Sequence, residues 1–283
     1  MLAALFNELP NLYLFTGFSF LCGSCIFLWV SQLPKSTPAI SRSWGMNISW
    51  VDFGLLLFTC LLSVVLAQTL LGQLIKVLKP SKLDTAFLNT LFFQGSILAA
   101  ILVLRRKFSK LYGESLDRPE PLRTGNLCLT TLAYFVKFLP LLWLAALALV
   151  MVLQALNIQP EPQDLVQLMT KAARNNPLAI AGLAASAIIL APIVEEILFR
   201  GYVHRFLRAK TSVPLATIGT SALFALIHFS AHAFIPLFLL SILLSYVYER
   251  TGKILAPIVF HALYNAQTVG LILLQPILPE PNF

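Results

Sequence analysis

The stretch PLAIAGLAASAIILAPIVEEILFR, residues 177–200, decides the fold class of this chain. It runs from Pro177 to Val194 without a charged side chain and then places Glu195 and Glu196 side by side. A helix needs about 20 mostly apolar residues to cross a bilayer. Carboxylates in such a helix are costly unless they are paired or lie in a polar cavity, so they are functional candidates by default.

The composition predicts that lipid is the solvent of most of the chain. Hydrophobic residues make up 58% of its 283 residues and charged residues only 11%, whereas soluble domains carry about 25% charged residues. The net charge is +8, and the basic residues lie in short loops, which favours an anionic membrane surface over nucleic acid. We therefore expect an all-α polytopic protein with membrane lipids and no nucleic acid as partners, in an oligomeric state that the sequence leaves open.

The apolar runs predict about eight transmembrane helices. Lys and Arg are concentrated in alternate loops, which predicts that these loops are cytoplasmic and that the candidate site lies toward the cytoplasmic side. Because no Arg- and Ser-rich transit peptide is recognisable, we expect a prokaryotic plasma (inner) membrane. The candidate spans lie at about 11–33, 53–75, 86–104, 127–153, 176–199, 212–230, 233–248 and 254–275.

Two groups of spans are separated by a polar connection. Residues 1–156 hold four spans, and 157–177 contains prolines and charges that predict an extramembrane connection. Residues 178–275 hold the other four spans and all of the chemical motifs. We interpret the whole as a single integrated domain.

Three motifs on separate apolar segments carry the candidate chemistry. Residues four apart share a helix face, so Glu196 faces Arg200, Phe224 faces His228 and His261 faces Asn265. A carboxylate and two imidazoles are enough to activate a water and stabilise a developing negative charge, which favours a hydrolase within the membrane. The motifs are Glu195-Glu196-x-x-x-Arg200, Phe224-x-x-x-His228 and His261-x-x-x-Asn265.

The depths of the motif residues also predict one shared site. Glu195 and His228 lie at similar distances before and after a turn near 209–212, so antiparallel helices would bring them to the same level. Residues 201–208 would extend the first helix as an amphipathic, basic tip, with His204 outside the site.

The ordered motifs resemble the CAAX protease and bacteriocin-processing family, which includes the type II CAAX prenyl endopeptidases. The resemblance covers about residues 190–268. It implies a glutamic intramembrane endopeptidase of eight helices that needs no cofactor or metal. Its substrate would be a membrane-associated or lipidated protein or peptide, prenylated or not.

The same resemblance implies a role for each motif residue. Glu195 would be the general base that activates water, with His228 as its partner. Glu196, held by Arg200, would support them. The oxyanion of the tetrahedral intermediate would be bound by the remaining two residues, His261 and Asn265.

Three alternatives remain open from the residues themselves. Carboxylate and imidazole are zinc ligands, although the chain has no His-Glu-x-x-His motif. A non-proteolytic membrane scaffold or regulator could retain the motif as polar contacts between helices. An ion-coupled transporter could use intramembrane Glu and His as a relay.

Overall fold

The computed structural model describes residues 46, 48–118, 126–156 and 177–274, and within these ranges all regular structure is helical. The all-α prediction is confirmed. In chain order the helices are α1 (Trp50–Leu78), α2 (Lys82–Lys107), α3 (Ser109–Tyr112), α4 (Leu127–Ala155), α5 (Pro177–Lys210), α6 (Val213–Leu226), α7 (Ala231–Thr251) and α8 (Leu255–Leu274).

Five of these helices are long and apolar enough to cross a membrane: α1, α2, α4, α5 and α7. Their outer surfaces are also apolar. On α1, for example, Trp50 is 64% exposed and Phe58 is 59% exposed. Contiguous apolar surface of this kind is rare on soluble monomers and is expected where lipid covers a helix. The chain is an integral membrane protein.

The predicted spans differ from the structure mainly at α6. This helix has 14 residues, or about 21 Å of length, and it ends at Leu226 instead of continuing to residue 230. The reason is local. The ring of His228 forms a hydrogen bond with the carbonyl oxygen of Phe224, and Phe229 adopts a left-handed backbone conformation, with φ 47°, that ends the helix. The predicted span 11–33 and residues 157–176 of the predicted connection lie outside the described residues, so the count of eight spans stays a prediction.

Helix α5 is the centre of the fold. Its first half packs with α2 and α8, and its second half packs with α1, α2 and α6 in the largest apolar cluster. Helices α4, α7 and α8 form a third cluster beside it. Because its second half packs against several helices, α5 can hold ionisable groups away from lipid.

Two π-helical segments interrupt α5, at Ser186–Leu190 and Ile197–His204. Pro192 follows the first segment. In the π register the carbonyl of Ala187 would accept a hydrogen bond from residue 192, but proline has no N–H to donate. The carbonyl of Ala187 is therefore left for a partner from another helix.

The predicted basic tip at 201–208 has a different environment from the one expected. Every residue of this stretch except Leu207 is buried, including Arg205 at 4% and Arg208 at 3% exposure. The basic side chains of this stretch are therefore enclosed by protein and do not form an exposed tip. Acidic partners account for this burial: Glu114 pairs with Arg205, and Glu249 pairs with Arg208.

Candidate active site

Glu196 is the most enclosed carboxylate of the candidate site, with 0% exposure. Its Oε1 accepts a hydrogen bond from Nη1 of Arg200 at 2.9 Å, as the four-residue spacing predicts. The same oxygen lies 2.9 Å from Nδ1 of His261 on α8, a contact that local spacing could not predict. Hydrogen bonds to these two partners offset the desolvation cost of burying the carboxylate.

Arg200 joins three helices around this carboxylate. Its Nη2 donates to the carbonyl and the hydroxyl of Ser241 on α7, at 2.8 and 2.7 Å. Its guanidinium carbon lies 5.2 Å from the ring centre of Phe224 on α6. Ser241 carries little sequence signal, because serines such as Ser241 and Ser245 are common in apolar membrane helices. The arginine therefore fixes the position of Glu196 relative to α6 and α7.

The ring of Phe224 lies between the two motif histidines. It is fully buried, and its centre is 4.9 Å from the ring of His228 and 5.8 Å from the ring of His261. The ring of Phe199 on α5 packs edge-on against it at 5.1 Å. Phe224 thus brings both imidazoles and the second half of α5 to one place.

His228 lies in the turn after α6, half-buried. Its Nδ1 is 2.7 Å from the carbonyl oxygen of Phe224. Since a carbonyl can only accept, Nδ1 carries the proton and donates. The neutral ring then has its lone pair on Nε2, the atom suited to accepting a proton.

Glu195 has a different environment from its neighbour. It is half-buried, and its Oε1 accepts a hydrogen bond from Nε2 of Gln94 on α2 at 3.1 Å. In the described part of the chain no hydrogen bond joins it to His228 or Arg200. Gln94 was missed at the sequence level, although a glutamine among the apolar residues of α2 is a weak signal.

Asn265 lies one turn after His261 on α8, on the same face. Its Nδ2 donates to the carbonyl of Ala187 at 2.8 Å, which is the carbonyl that Pro192 leaves without a donor. This bond uses one of the two amide N–H groups and orients the side chain toward α5.

Three polar atoms of these residues are buried without a protein partner among the described residues: Oε2 of Glu196, Nε of Arg200 and Oε1 of Gln94. Buried polar atoms are nearly always hydrogen-bonded to protein or to water. Bound water is therefore the expected partner of these three atoms.

An apolar groove of about 700 Å³ opens at the turn between α6 and α7. Its walls include Leu226, Ile227 and Phe229 on one side and Phe234 and Ile235 on the other. It adjoins His228 in sequence, and the exposed ring of Phe229 stands at its edge. The residues on either side of His228 in sequence line this groove, but His228 itself does not.

The described ranges contain few side chains close enough together to bind one metal ion. No group of three or more His, Cys, Asp or Glu side chains occurs there. The nearest approaches are two pairs, Glu196 with His261 and Glu249 with His204.

A second buried acid, Glu249 at the end of α7, forms a similar cluster. Its Oε1 lies 2.7 Å from Nε of Arg208 and 2.9 Å from Nε2 of His204, and Arg118 approaches its Oε2 at 3.9 Å. We call these residues the Glu249 cluster. His204, predicted to lie outside the site, is fully buried in this cluster.

Comparison with known proteins supports the resemblance expected from the motifs. Residues 177–267 match the model of the family described as Type II CAAX prenyl endopeptidase Rce1-like. No curated protein and no solved structure matches the chain. The matched segment begins with α5, ends within α8 and contains all six predicted site residues. The C-terminal helices of this integral membrane protein are therefore similar to those of the Rce1-like type II CAAX prenyl endopeptidases.

Proposed function

We propose that this protein is an intramembrane endopeptidase that hydrolyses a peptide bond of a membrane-associated or lipidated protein or peptide with a glutamate-activated water. The observation that carries the proposal is the contrast between two adjacent carboxylates. Glu196 is fully buried against Arg200 and His261, whereas Glu195 is half-buried and is touched by a neutral amide. The carboxylate of Glu196 is engaged by structural partners, whereas Glu195 keeps a carboxylate oxygen that can accept a proton.

In the proposed first step, Glu195 accepts a proton from a water while the water oxygen bonds to the scissile carbonyl carbon. The carbonyl becomes an oxyanion. Glu195 then passes its proton to the leaving nitrogen as the C–N bond breaks. The new carboxylic acid gives its proton to Nε2 of His228 and from there to solvent, which restores both groups.

The oxyanion needs donors, and α8 can supply two of them. Nδ1 of His261 is held by Glu196, so His261 can donate through Nε2 only as an imidazolium. With both glutamates ionised, Arg200 and that imidazolium bring the formal charge of these groups to zero. Asn265 retains a second amide N–H beside the one that donates to Ala187.

The proposed enzyme acts without a cofactor, in a prokaryotic plasma membrane and near its cytoplasmic side. The basic loops support this orientation. The groove beside His228 supports an apolar or lipidated substrate, because its lining is almost entirely apolar.

A non-proteolytic scaffold is the second candidate. One observation favours it: Arg200, Asn265 and Gln94 each make a hydrogen bond between helices. Such bonds hold membrane helices together whether or not chemistry occurs. The scaffold predicts that replacing Glu195 with glutamine leaves function intact.

The deciding experiment compares host membranes that contain the wild-type protein or Glu195→Gln. Proteomic mapping of peptide termini identifies substrates and cleavage sites together. We expect cleavage to fall by about 10²–10⁴ in Glu195→Gln, the usual contribution of a general base, and similarly in His228→Ala.

Glu114→Gln is the matched control, because it is the same change at a carboxyl group that is 56% exposed and lies away from the site. Its cleavage should equal that of the wild type. Undiminished cleavage by folded Glu195→Gln and His228→Ala proteins would overturn the proposed function.

A further inference from the structure

Gln94 is a polar side chain on a helix face that is otherwise apolar. Helix α2 buries six side chains, and Gln94 is the only one of them that can form hydrogen bonds through its side chain. It lies on the same face as Ile97 and Ile101, which follow at helical spacing and pack against α5. Burying an amide is costly unless it is hydrogen-bonded. Gln94 therefore needs a hydrogen-bond partner, and α5 is the helix that this face packs against.

The partner is the candidate general base. Nε2 of Gln94 lies 3.1 Å from Oε1 of Glu195. A carboxylate oxygen can only accept, so the amide nitrogen, and not its oxygen, must face Glu195. The other end of the same amide, Oε1, is buried and has no partner among the described residues.

We propose that Gln94 is a positioning residue for Glu195, a role that rests on the proposed function. Its amide holds Oε1 and leaves Oε2 of Glu195 as the oxygen that takes the proton of the water. A neutral amide can orient a carboxylate without neutralising it, unlike the arginine that pairs with Glu196. The carbonyl oxygen of Gln94 is placed to accept the second hydrogen of that water.

The position of Gln94 gives the N-terminal helices a part in the site. The family match covers 177–267 only, whereas Gln94 lies on α2, 101 residues before Glu195. Geometry at the base is sensitive, because a misplacement of about 1 Å can cost about 10² in rate. The α2–α5 contact would thus set the rate of a reaction whose other residues lie on α5, α6 and α8.

A purely structural glutamine would also bond two helices, and Gln68 offers a matched control. Its Nε2 donates to the carbonyl of Asn89 at 3.3 Å and so joins α1 to α2 away from the site. Gln68→Leu removes a bond between helices without touching Glu195. Gln94→Leu removes a part-buried bond between helices that ends on the carboxylate of the base.

The test measures steady-state cleavage of a peptide that spans the site mapped in the membrane comparison. We expect Gln94→Leu to lower kcat about 10-fold to 100-fold, the range known for residues that orient catalytic metal ligands. KM should stay unchanged, because ground-state binding is not altered. Gln68→Leu should leave both constants at wild-type values. Thermal unfolding in detergent confirms that each variant is folded.

A spectroscopic measurement tests the contact independently of cleavage. The infrared difference spectrum between wild type and Glu195→Gln isolates the carboxylate stretch of Glu195. Loss of a hydrogen bond shifts that band, so it should move in Gln94→Leu and stay in place in Gln68→Leu. An unshifted band in Gln94→Leu overturns the inference.

Two further outcomes separate this inference from the proposed function. If wild type cleaves, Glu195→Gln does not, and Gln94→Leu retains the wild-type kcat, only the role of Gln94 is overturned. If the folded wild type and Glu195→Gln yield the same peptide termini, the proposed function is overturned and the role of Gln94 in catalysis falls with it.

Discussion

Two buried clusters of this molecule have nearly the same composition. Around Glu196 an arginine and a histidine meet one carboxylate oxygen, at 2.9 Å each. Around Glu249 another arginine and another histidine do the same, at 2.7 and 2.9 Å. A buried Glu-Arg-His group is therefore not sufficient to identify a catalytic site in this chain.

The surroundings of the two clusters differ. The Glu196 cluster lies beside a second, half-buried carboxylate, and a motif histidine lies across the ring of Phe224. The Glu249 cluster lies where α5 and α7 end, and backbone contacts tie it to the segment after α3. The backbone N–H of Arg118, for example, donates to the carbonyl of Gly252 at 2.7 Å. The first cluster adjoins a candidate reaction site, whereas the second fastens a loop to helix ends.

The largest expected effect that separates the two clusters is on stability. Glu249→Gln leaves the buried guanidinium of Arg208 without its carboxylate, and breaking a buried pair in this way costs about 3–5 kcal/mol. We expect the free energy of unfolding, measured by denaturation in mixed micelles, to fall by that amount. The kcat of the protein that remains folded should equal that of the wild type.

A loss of kcat in folded Glu249→Gln, with no loss of stability, would contradict the division of roles. The Glu249 cluster would then belong to the reaction site.

A smaller effect is expected for Asn265→Ala, and it should appear mainly in kcat. Loss of one oxyanion donor costs about 10²–10³ in rate, whereas a hydrogen bond between membrane helices contributes only about 0.6 kcal/mol on average. Steady-state kinetics measure the loss of kcat, and the unfolding midpoint in detergent measures the loss of stability.

If Asn265→Ala mainly shifted the unfolding midpoint and kept the wild-type kcat, its bond to Ala187 would be its whole role. The scaffold reading of the interhelical contacts would gain support from that result.

The smallest effect is expected at Glu114, the partner of Arg205. Its side chain is 56% exposed, and pairs with an exposed member contribute about 0–1 kcal/mol. Glu114→Gln should therefore change the free energy of unfolding by less than about 1 kcal/mol in the same micelle denaturation. A larger loss would show that the segment after α3 is held more tightly than the exposure of Glu114 indicates.

Contacts within a motif could be predicted from the sequence, because the evidence for them was local. The pairing of Glu196 with Arg200 follows from a four-residue spacing and holds even beside a π-helical segment. The shared surroundings of Phe224 and His228 were also predicted, although a turn replaces the expected helix face. Helical periodicity is a short-range property, so a single sequence can display it.

Contacts between distant helices could not be predicted in the same way. Gln94 and Ser241 gave little or no signal, because their partners are far away in sequence and no local spacing relates them. The burial of Arg208 was not predicted, since its acidic partner Glu249 lies on α7. Each contact that was not predicted depends on which helix faces pack together, and this is determined by the tertiary structure.

The sequence by itself determined that this chain is helical and lies in lipid, because hydropathy and charge placement are properties of each segment alone. It also singled out the ionisable groups of the three motifs, although not those of the Glu249 cluster. Only the tertiary structure decided that Glu196 is enclosed while Glu195 is held by an amide from α2. The solvation and pairing of a carboxylate depend on its neighbours in space, and those neighbours come from helices far apart along the chain.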